Sequence, residues 1–278
     1  MARIGFMQGR LSPLVDGKIQ AFPWLHWEEE FEIAGQAGFE SVEWTLDADR
    51  LYENPLMVPA GQDRIRALAG KCRVPVNSLT GDCFMQAPFW KAQEPQRTGL
   101  LNDLAAILDA CASVGIKFVV VPLVDNGRLE SAEQQESLLD GLLPHAPLLL
   151  SRGMAILFES DFPGRVLADL MSRFPRNAFG INYDIGNSAA LGHDAQADLA
   201  MYGDWVQNVH VKDRMRGGTT VPLGAGAADF PKVFGALARV GYRGDFILQT
   251  ARAADGRHLE ALLRYRELVR GWIAGASA

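Results

Sequence analysis

The chain has 278 residues, 48% of them hydrophobic and 22% charged, with a formal net charge of −6. That length is unusual for one ordinary domain but normal for one α/β barrel, and the composition is that of a soluble globular protein with a large core. The acidic balance speaks against a nucleic-acid binder, which carries a basic face, and no run of about 20 apolar residues offers a membrane span.

Short apolar runs alternate with amphipathic stretches along the whole chain. Strands are predicted over 3–8, 41–44, 74–79, 117–122, 154–159, 178–184, 206–212 and 245–249. Helices are predicted between and after them, over 27–36, 62–71, 95–113, 132–150, 163–173, 195–202, 231–239 and 258–273. Most of the strand runs are continuously hydrophobic, as in parallel strands covered by helices on one side and packed on the other. Gly38, Gly115, Gly153 and Gly241 each sit just before a strand or between helix and strand, where a left-handed residue ends a helix. Eight β-α units predict a closed (β/α)8 TIM barrel, one α/β domain over 1–278. The competing open, doubly wound sheet favours a G-x-G-x-x-G turn after the first strand, and Met7-Gln8-Gly9-Arg10-Leu11-Ser12-Pro13 is not one. Cys72, Cys83 and Cys111 lack C-x-x-C spacing, and the first residues lack the apolar run of a secretory leader, so reduced thiols and a cytoplasmic location are expected.

Barrel active sites lie at the carboxyl ends of the strands. Polar residues fall there: Gln8, Glu43, the Thr80–Asp82–Cys83 segment, Glu159, Asp184, His210 and Gln249. Glu159, Asp184, His210 and Gln249 follow one another at separations of 25, 26 and 39 residues, one per β-α unit, so their side chains can converge. Singly, each has a plain structural explanation: a helix-capping carboxylate, a hydrogen-bonded core histidine, a loop-anchoring amide. Together they form a mixed oxygen/nitrogen donor set suited to one divalent ion: Mn²⁺, Mg²⁺, Co²⁺ or Zn²⁺.

Three segments carry a resemblance: Asn182-Tyr183-Asp184-Ile185-Gly186-Asn187, Val209-His210-Val211-Lys212-Asp213, and Val221-Pro222-Leu223-Gly224 leading to Gly226 and Asp229-Phe230. In order and spacing the chain resembles the xylose-isomerase-like TIM-barrel superfamily of sugar and sugar-phosphate isomerases and epimerases, and most of all its L-ribulose/L-xylulose-5-phosphate 3-epimerase group. The resemblance is strongest from about Met154 onward. It implies metal ligation by Glu159, Asp184, His210 and the residue at 249, and it matches Glu43 to an acidic residue of that family. Gln249 departs from the family's glutamate, and Ala225 replaces another.

The chemistry implied is removal of a proton next to a carbonyl, with a metal stabilising the enediolate and Glu159 as the base. Epimerisation needs a second proton-transfer group, and an amide at 249 has no useful acid or base. Either Asp213, Lys212, Asp82 or Glu43 supplies it, or the reaction is a one-base isomerisation. Arg214 and Arg216, in the loop after the seventh strand, are candidate phosphate ligands; Gln8, Glu43, Asp82, Asn187 and His193 are candidate sugar contacts. Trp24, Trp44, Phe84 and Phe89 are candidates for an apolar wall, and His26 lies on a long first loop able to serve as a lid. The expected partner is a small sugar or sugar phosphate, with no nucleic acid and no membrane, and a homo-oligomer is left open. A dehydratase of a keto-polyol and a non-catalytic sugar-binding barrel stand as alternatives, whereas a nuclease of the trinuclear zinc type is disfavoured by a chain with five histidines.

Overall fold

A computed structural model describes residues 2–276. Eight parallel strands close on themselves: β1 (Ile4–Met7), β2 (Val42–Leu46), β3 (Val76–Gly81), β4 (Phe118–Leu123), β5 (Ala155–Ser160), β6 (Phe179–Asp184), β7 (Val206–Val211) and β8 (Asp245–Leu248). β1 pairs in parallel with both β2 and β8, which completes the barrel. The predicted (β/α)8 architecture is the one observed, with every predicted strand displaced by two residues or fewer at its N-terminal end.

Around the barrel run α1 (Trp27–Ala37), α2 (Pro59–Cys72), the short α3 (Asp82–Gln86), α4 (Gln96–Val114), α5 (Ala132–Leu142), α6 (Ala146–Arg152), α7 (Gly164–Met171), α8 (Ile185–Leu191), α9 (Ala195–Tyr202), α10 (Phe230–Arg239) and α11 (His258–Ala276). The single helix expected over 132–150 is two helices joined by a 3₁₀ turn, Leu143–His145, at Pro144. Proline lacks the N–H that an α-helix interior requires, so the run breaks there. The sequence pattern also missed α3 and α8, which are too short to show a period, and a two-stranded hairpin that pairs Asp213–Arg214 with Thr220–Val221. Among the described residues, no helix is long and apolar enough to cross a membrane.

Apolar side chains such as Phe6, Phe31, Trp44, Phe158 and Phe234 pack into one continuous core. A small second cluster holds Val120, Ala155 and Leu157. The polar strand residues Glu43, Ser78, Thr80, Asn182, Asn208 and His210 are also fully or almost fully buried, and they bond to one another across the barrel. Two irregularities in strand register fall among them. The β2–β3 ladder steps from Val42 opposite Val76 to Glu43 opposite Ser78, and the β6–β7 ladder from Ile181 opposite Val206 to Asn182 opposite Asn208. An extra residue in one strand re-aims the side chains that follow it. Here it sets Ser78 beside Glu43 and Asn208 beside Asn182.

Candidate active site and metal centre

Glu159, Asp184 and His210 stand at the carboxyl ends of β5, β6 and β7, and Asp184 pairs with His210 in the ladder. One donor atom from each lies within 4.8 Å of the others, and all three residues are buried. His210 Nε2 is 2.6 Å from Glu43 Oε1, so a proton on Nε2 is donated to Glu43. The other ring nitrogen, Nδ1, then faces Asn182 Nδ2 at 3.0 Å, Glu159 Oε2 at 3.1 Å and Asp184 Oδ2 at 4.0 Å. A carboxylate that holds the far nitrogen fixes the tautomer and ring orientation of a ligand histidine.

Glu159 is held by two amides. Asn182 Nδ2 donates to its Oε2 at 2.9 Å, and Asn187 Nδ2 donates to its Oε1 at 2.7 Å. Asp184 has a divided role: Oδ1 caps α8 by accepting the Asn187 N–H at 2.8 Å, while Oδ2 lies 2.7 Å from Lys212 Nζ. Burial presses Glu43 and Glu159 toward their neutral forms, but the charge and hydrogen bonds of His210 override it and hold both below the usual carboxylate range. Burial works against the imidazolium too, and Glu43 and Glu159 outweigh it, raising His210 to about 10. Asp184 is raised, chiefly by burial, with Lys212 opposing.

The fourth member of the expected donor set is arranged differently. Gln249 Oε1 accepts a hydrogen bond from Lys212 Nζ at 3.0 Å, so an ammonium stands between this amide and Asp184. Gln249 Nε2 donates to Gln20 Oε1 at 2.8 Å, and Gln20 Nε2 donates to Asp82 Oδ2 at 2.6 Å. Gln20 belongs to the loop between β1 and α1, residues 8–26. That loop is clasped by two buried charges. Glu30 of α1 accepts the N–H groups of Gly9 and Leu11 at 2.8 and 2.9 Å, and Arg10 donates to the carbonyls of Thr250 and Ile19 at 3.0 and 2.8 Å. Asp82 begins α3 at the end of β3 and is 7% exposed. Burial, and the nearby charges of Asp47 and Glu159, push its carboxyl up to about 7 against the pull of Gln20 and Lys212.

Other residues singled out in the sequence have other surroundings. Glu43 is fully buried and bonded to Ser78, Thr80, Asn208 and His210, which leaves no oxygen for a sugar; it acts on the site through the imidazole. Asp213 is fully buried and accepts the backbone N–H groups of Gly224, Gly226 and Ala228, so it closes the loop after the hairpin and is not placed as an acid or base. Gln8 is fully buried, its Oε1 accepting the Thr45 N–H at 3.2 Å. Asn187 reaches Glu159 rather than open space, and Arg214 is tied to Asn187 Oδ1 at 2.8 Å and to the Gly218 carbonyl. His193 and Arg216 line a separate cavity of about 150 Å³ with Tyr183, Gly192 and Asp229, and His193 Nδ1 is 3.7 Å from Asp198. Tyr183 points away from its neighbours Asn182 and Asp184, as alternate strand residues do, so this cavity lies outside the barrel mouth. Trp44 and Phe89 are core residues, packed on Trp27 and Trp90; Phe84 is buried; Trp24 lies under Arg50; and His26 pairs with Glu29.

A divalent cation suits the three-residue donor set. Two carboxylates and one imidazole nitrogen are presented together, and with Glu43 three carboxylates face Lys212 and the His210 imidazolium, so an ion would take the place of the proton on Nδ1 in a cluster of net negative charge. Asn182, Asn208, Gln20, Arg10 and Glu30 were not among the residues singled out as site members. Asn182 alone had a signal, its place in the Asn182–Asn187 segment.

The family model described as xylose isomerase-like TIM barrel matches residues 31–272. An L-ribulose-5-phosphate 3-epimerase of Escherichia coli is 25% identical over 235 residues, covering 80% of this chain and 81% of the relative. Among solved structures, a xylose isomerase domain protein from Planctomyces limnophilus superposes with a TM-score of 0.74 at 17% identity, covering 98% of this chain and 96% of the other. A D-allulose 3-epimerase from Methylomonas sp., in complex with D-allulose, superposes with a TM-score of 0.75 at 14% identity, covering 98% of each chain.

Proposed function

Because the chain belongs to the xylose isomerase-like TIM-barrel family, we propose that it isomerises or epimerises a small sugar or sugar phosphate at a divalent-metal site, by moving a proton on a carbon next to a carbonyl. The observation that carries this reading is Glu159, a carboxylate held by two amides within one buried cluster with Asp184 and His210. Those three residues would hold the ion, and a bound ion supplies Lewis-acid polarisation of a substrate carbonyl and its neighbouring hydroxyl. Glu159 takes the proton: Asn182 and Asn187 donate to both of its oxygens, which favours the ionised form and fixes its direction. Lys212 places a positive charge at the rim of the same cluster, where an oxygen that gains negative charge is favoured. Asn187 and Arg214 form the outer brace of Glu159.

Support for a ketose substrate, free or phosphorylated, comes from the names of the relatives, L-ribulose-5-phosphate 3-epimerase and D-allulose 3-epimerase. Of the two arginines considered for a phosphate, Arg214 is bonded to Asn187 and the Gly218 carbonyl and Arg216 faces the outer cavity, so the reading does not depend on a phosphate. The test is solvent deuterium uptake at the substrate's carbinol carbon by the Mn²⁺-loaded protein. Glu159→Gln is expected to cut the uptake by about 10²–10⁴-fold. Uptake within a few-fold of the parent would place the base elsewhere.

A further inference from the structure

We infer that Asp82 is the second proton-transfer residue of this site, so that with Glu159 it lets the enzyme invert a carbon next to a ketose carbonyl. The inference rests on the sugar-isomerase reading above and adds to it the stereochemistry and the residue. It begins with elimination. Of the carboxyls near the mouth, Glu43 is fully buried with two partners on each oxygen, Asp47 accepts from the Phe22 N–H and the Gln86 amide, Asp213 is closed by three backbone amides, and Asp184 is divided between the α8 cap and Lys212, whose ammonium is held by Asp184 and Gln249. Gln249 carries an amide, which neither gives nor takes a proton usefully. Asp82 differs from all of these. Its Oδ2 accepts one hydrogen bond, from Gln20, and its Oδ1 accepts none from the described residues.

Its place fits the task. Asp82 follows β3 and Glu159 ends β5, with β4 between them, so the two carboxyls stand two strands apart at the same end of the barrel, near enough for the charge of Glu159 to act on Asp82. Gln20 joins Asp82 to Gln249 at the end of β8, so Asp82 stands one amide away from the position where the expected fourth donor lies. The charged groups that face Asp82 are Arg10 from the first loop, Asp47 after β2, Glu159 of β5 and Lys212 after β7. The balance among them, with burial, lets the carboxyl exist in both protonation states near neutrality.

The step balances without a redox partner. Glu159 removes the proton, and the C–H electron pair becomes the carbon–carbon double bond of the enediolate. Protonated Asp82 then delivers its proton to the opposite face, the electron pair returns as a new C–H bond, and the carbonyl re-forms. Glu159 ends protonated and Asp82 ionised, and exchange with solvent resets the pair. In the reverse direction the roles are exchanged.

The experiment uses the full chain loaded with Mn²⁺, with D-allulose, L-ribulose and L-ribulose 5-phosphate as probes in D₂O. In Asp82→Asn, a nearly isosteric change, deuterium uptake through Glu159 at the reacting carbon is expected to stay within about tenfold of the parent, while inversion falls by roughly 10²-fold or more. Retained uptake also shows that the variant is folded and loaded. The parent's inversion rate is expected to show a limb near pH 7 that uptake by the variant lacks. Inversion by Asp82→Asn at a rate within a few-fold of the parent would overturn the role of Asp82 and leave the sugar reading standing. A parent that exchanges no carbon-bound proton of any probe would overturn both.

Discussion

On the β5–β7 side of the barrel mouth, Glu159, Asp184 and His210 each stand on a strand and are each tied by further side chains, Asn182, Asn187, Glu43 and Lys212. On the β8–β3 side, Gln249 and Asp82 communicate through one amide, Gln20, delivered by a loop. The first arrangement is redundant: Asn208 and His210 each bond both Glu43 and Asn182, and Asn182 also bonds Glu159. The second passes through one side chain, with a single bond from Gln20 to Asp82 and a single bond to Gln249, Arg10 being a further donor to the Gln20 oxygen at 3.3 Å. Redundancy suits the proposed donor set, which must not move, and a single replaceable amide suits the side to which the proposed proton transfer by Asp82 belongs.

Substitutions on the two sides therefore have different readouts. The largest effect belongs to His210→Ala. It removes a donor and leaves Glu43 buried without its main partner. Mn²⁺ binding is expected to weaken well beyond the roughly 10–100-fold that loss of an outer hydrogen-bond partner costs. Metal content after dialysis measures this, and unchanged stoichiometry would remove His210 from the donor set. Glu43→Gln comes next. Its new amide N–H₂ must face either the donors Ser78 and Asn208 or the donors Thr80 and His210, so the imidazole loses its orientation. The expected loss of Mn²⁺ affinity is about 10–100-fold with the barrel intact by circular dichroism. An affinity equal to that of the parent would mean that Glu43 only packs the interior.

The division between the two sides also governs how much could be read from the sequence. Strand-borne residues were legible as a group, because continuous apolar runs mark the strands and polar residues at or near their ends mark the site; Glu159 and Asp184 end their runs, His210 lies inside its run between two valines, and Gln249, read in the same way, meets Lys212 instead. What the same pattern cannot carry is direction. Asp213 lies next to Lys212 yet turns into a backbone clasp, and His193 and Arg216 turn to an outer cavity. Glu43 and Asn182 depend on register shifts that no local pattern encodes. Gln20 was invisible for a different reason. It sits mid-loop with no periodicity, and its place depends on the Glu30 and Arg10 clasps, which join residues far apart in sequence.

Gln20→Leu should give the smallest effect, and it tests the loop side alone. The Gln20 amide donates to Asp82 Oδ2, which favours the ionised carboxyl; without that bond the carboxyl, already pushed up to about 7 by burial, rises further. A hydrogen bond to a charged group contributes about 1.5–3 kcal/mol, which corresponds to roughly one to two pH units. In the direction that needs protonated Asp82, inversion is lost as pH rises through its pKa, so in the variant this loss moves to higher pH. In the opposite direction, which needs the ionised form, the limb moves upward too and activity at neutral pH falls. Metal content is expected to stay within twofold of the parent, because no member of the Glu159–Asp184–His210 cluster bonds to Gln20. A pH profile that does not move would separate Asp82 from the proton transfer. A loss of metal comparable to that of Glu43→Gln would show that the two sides of the mouth are coupled through Gln249 and Lys212.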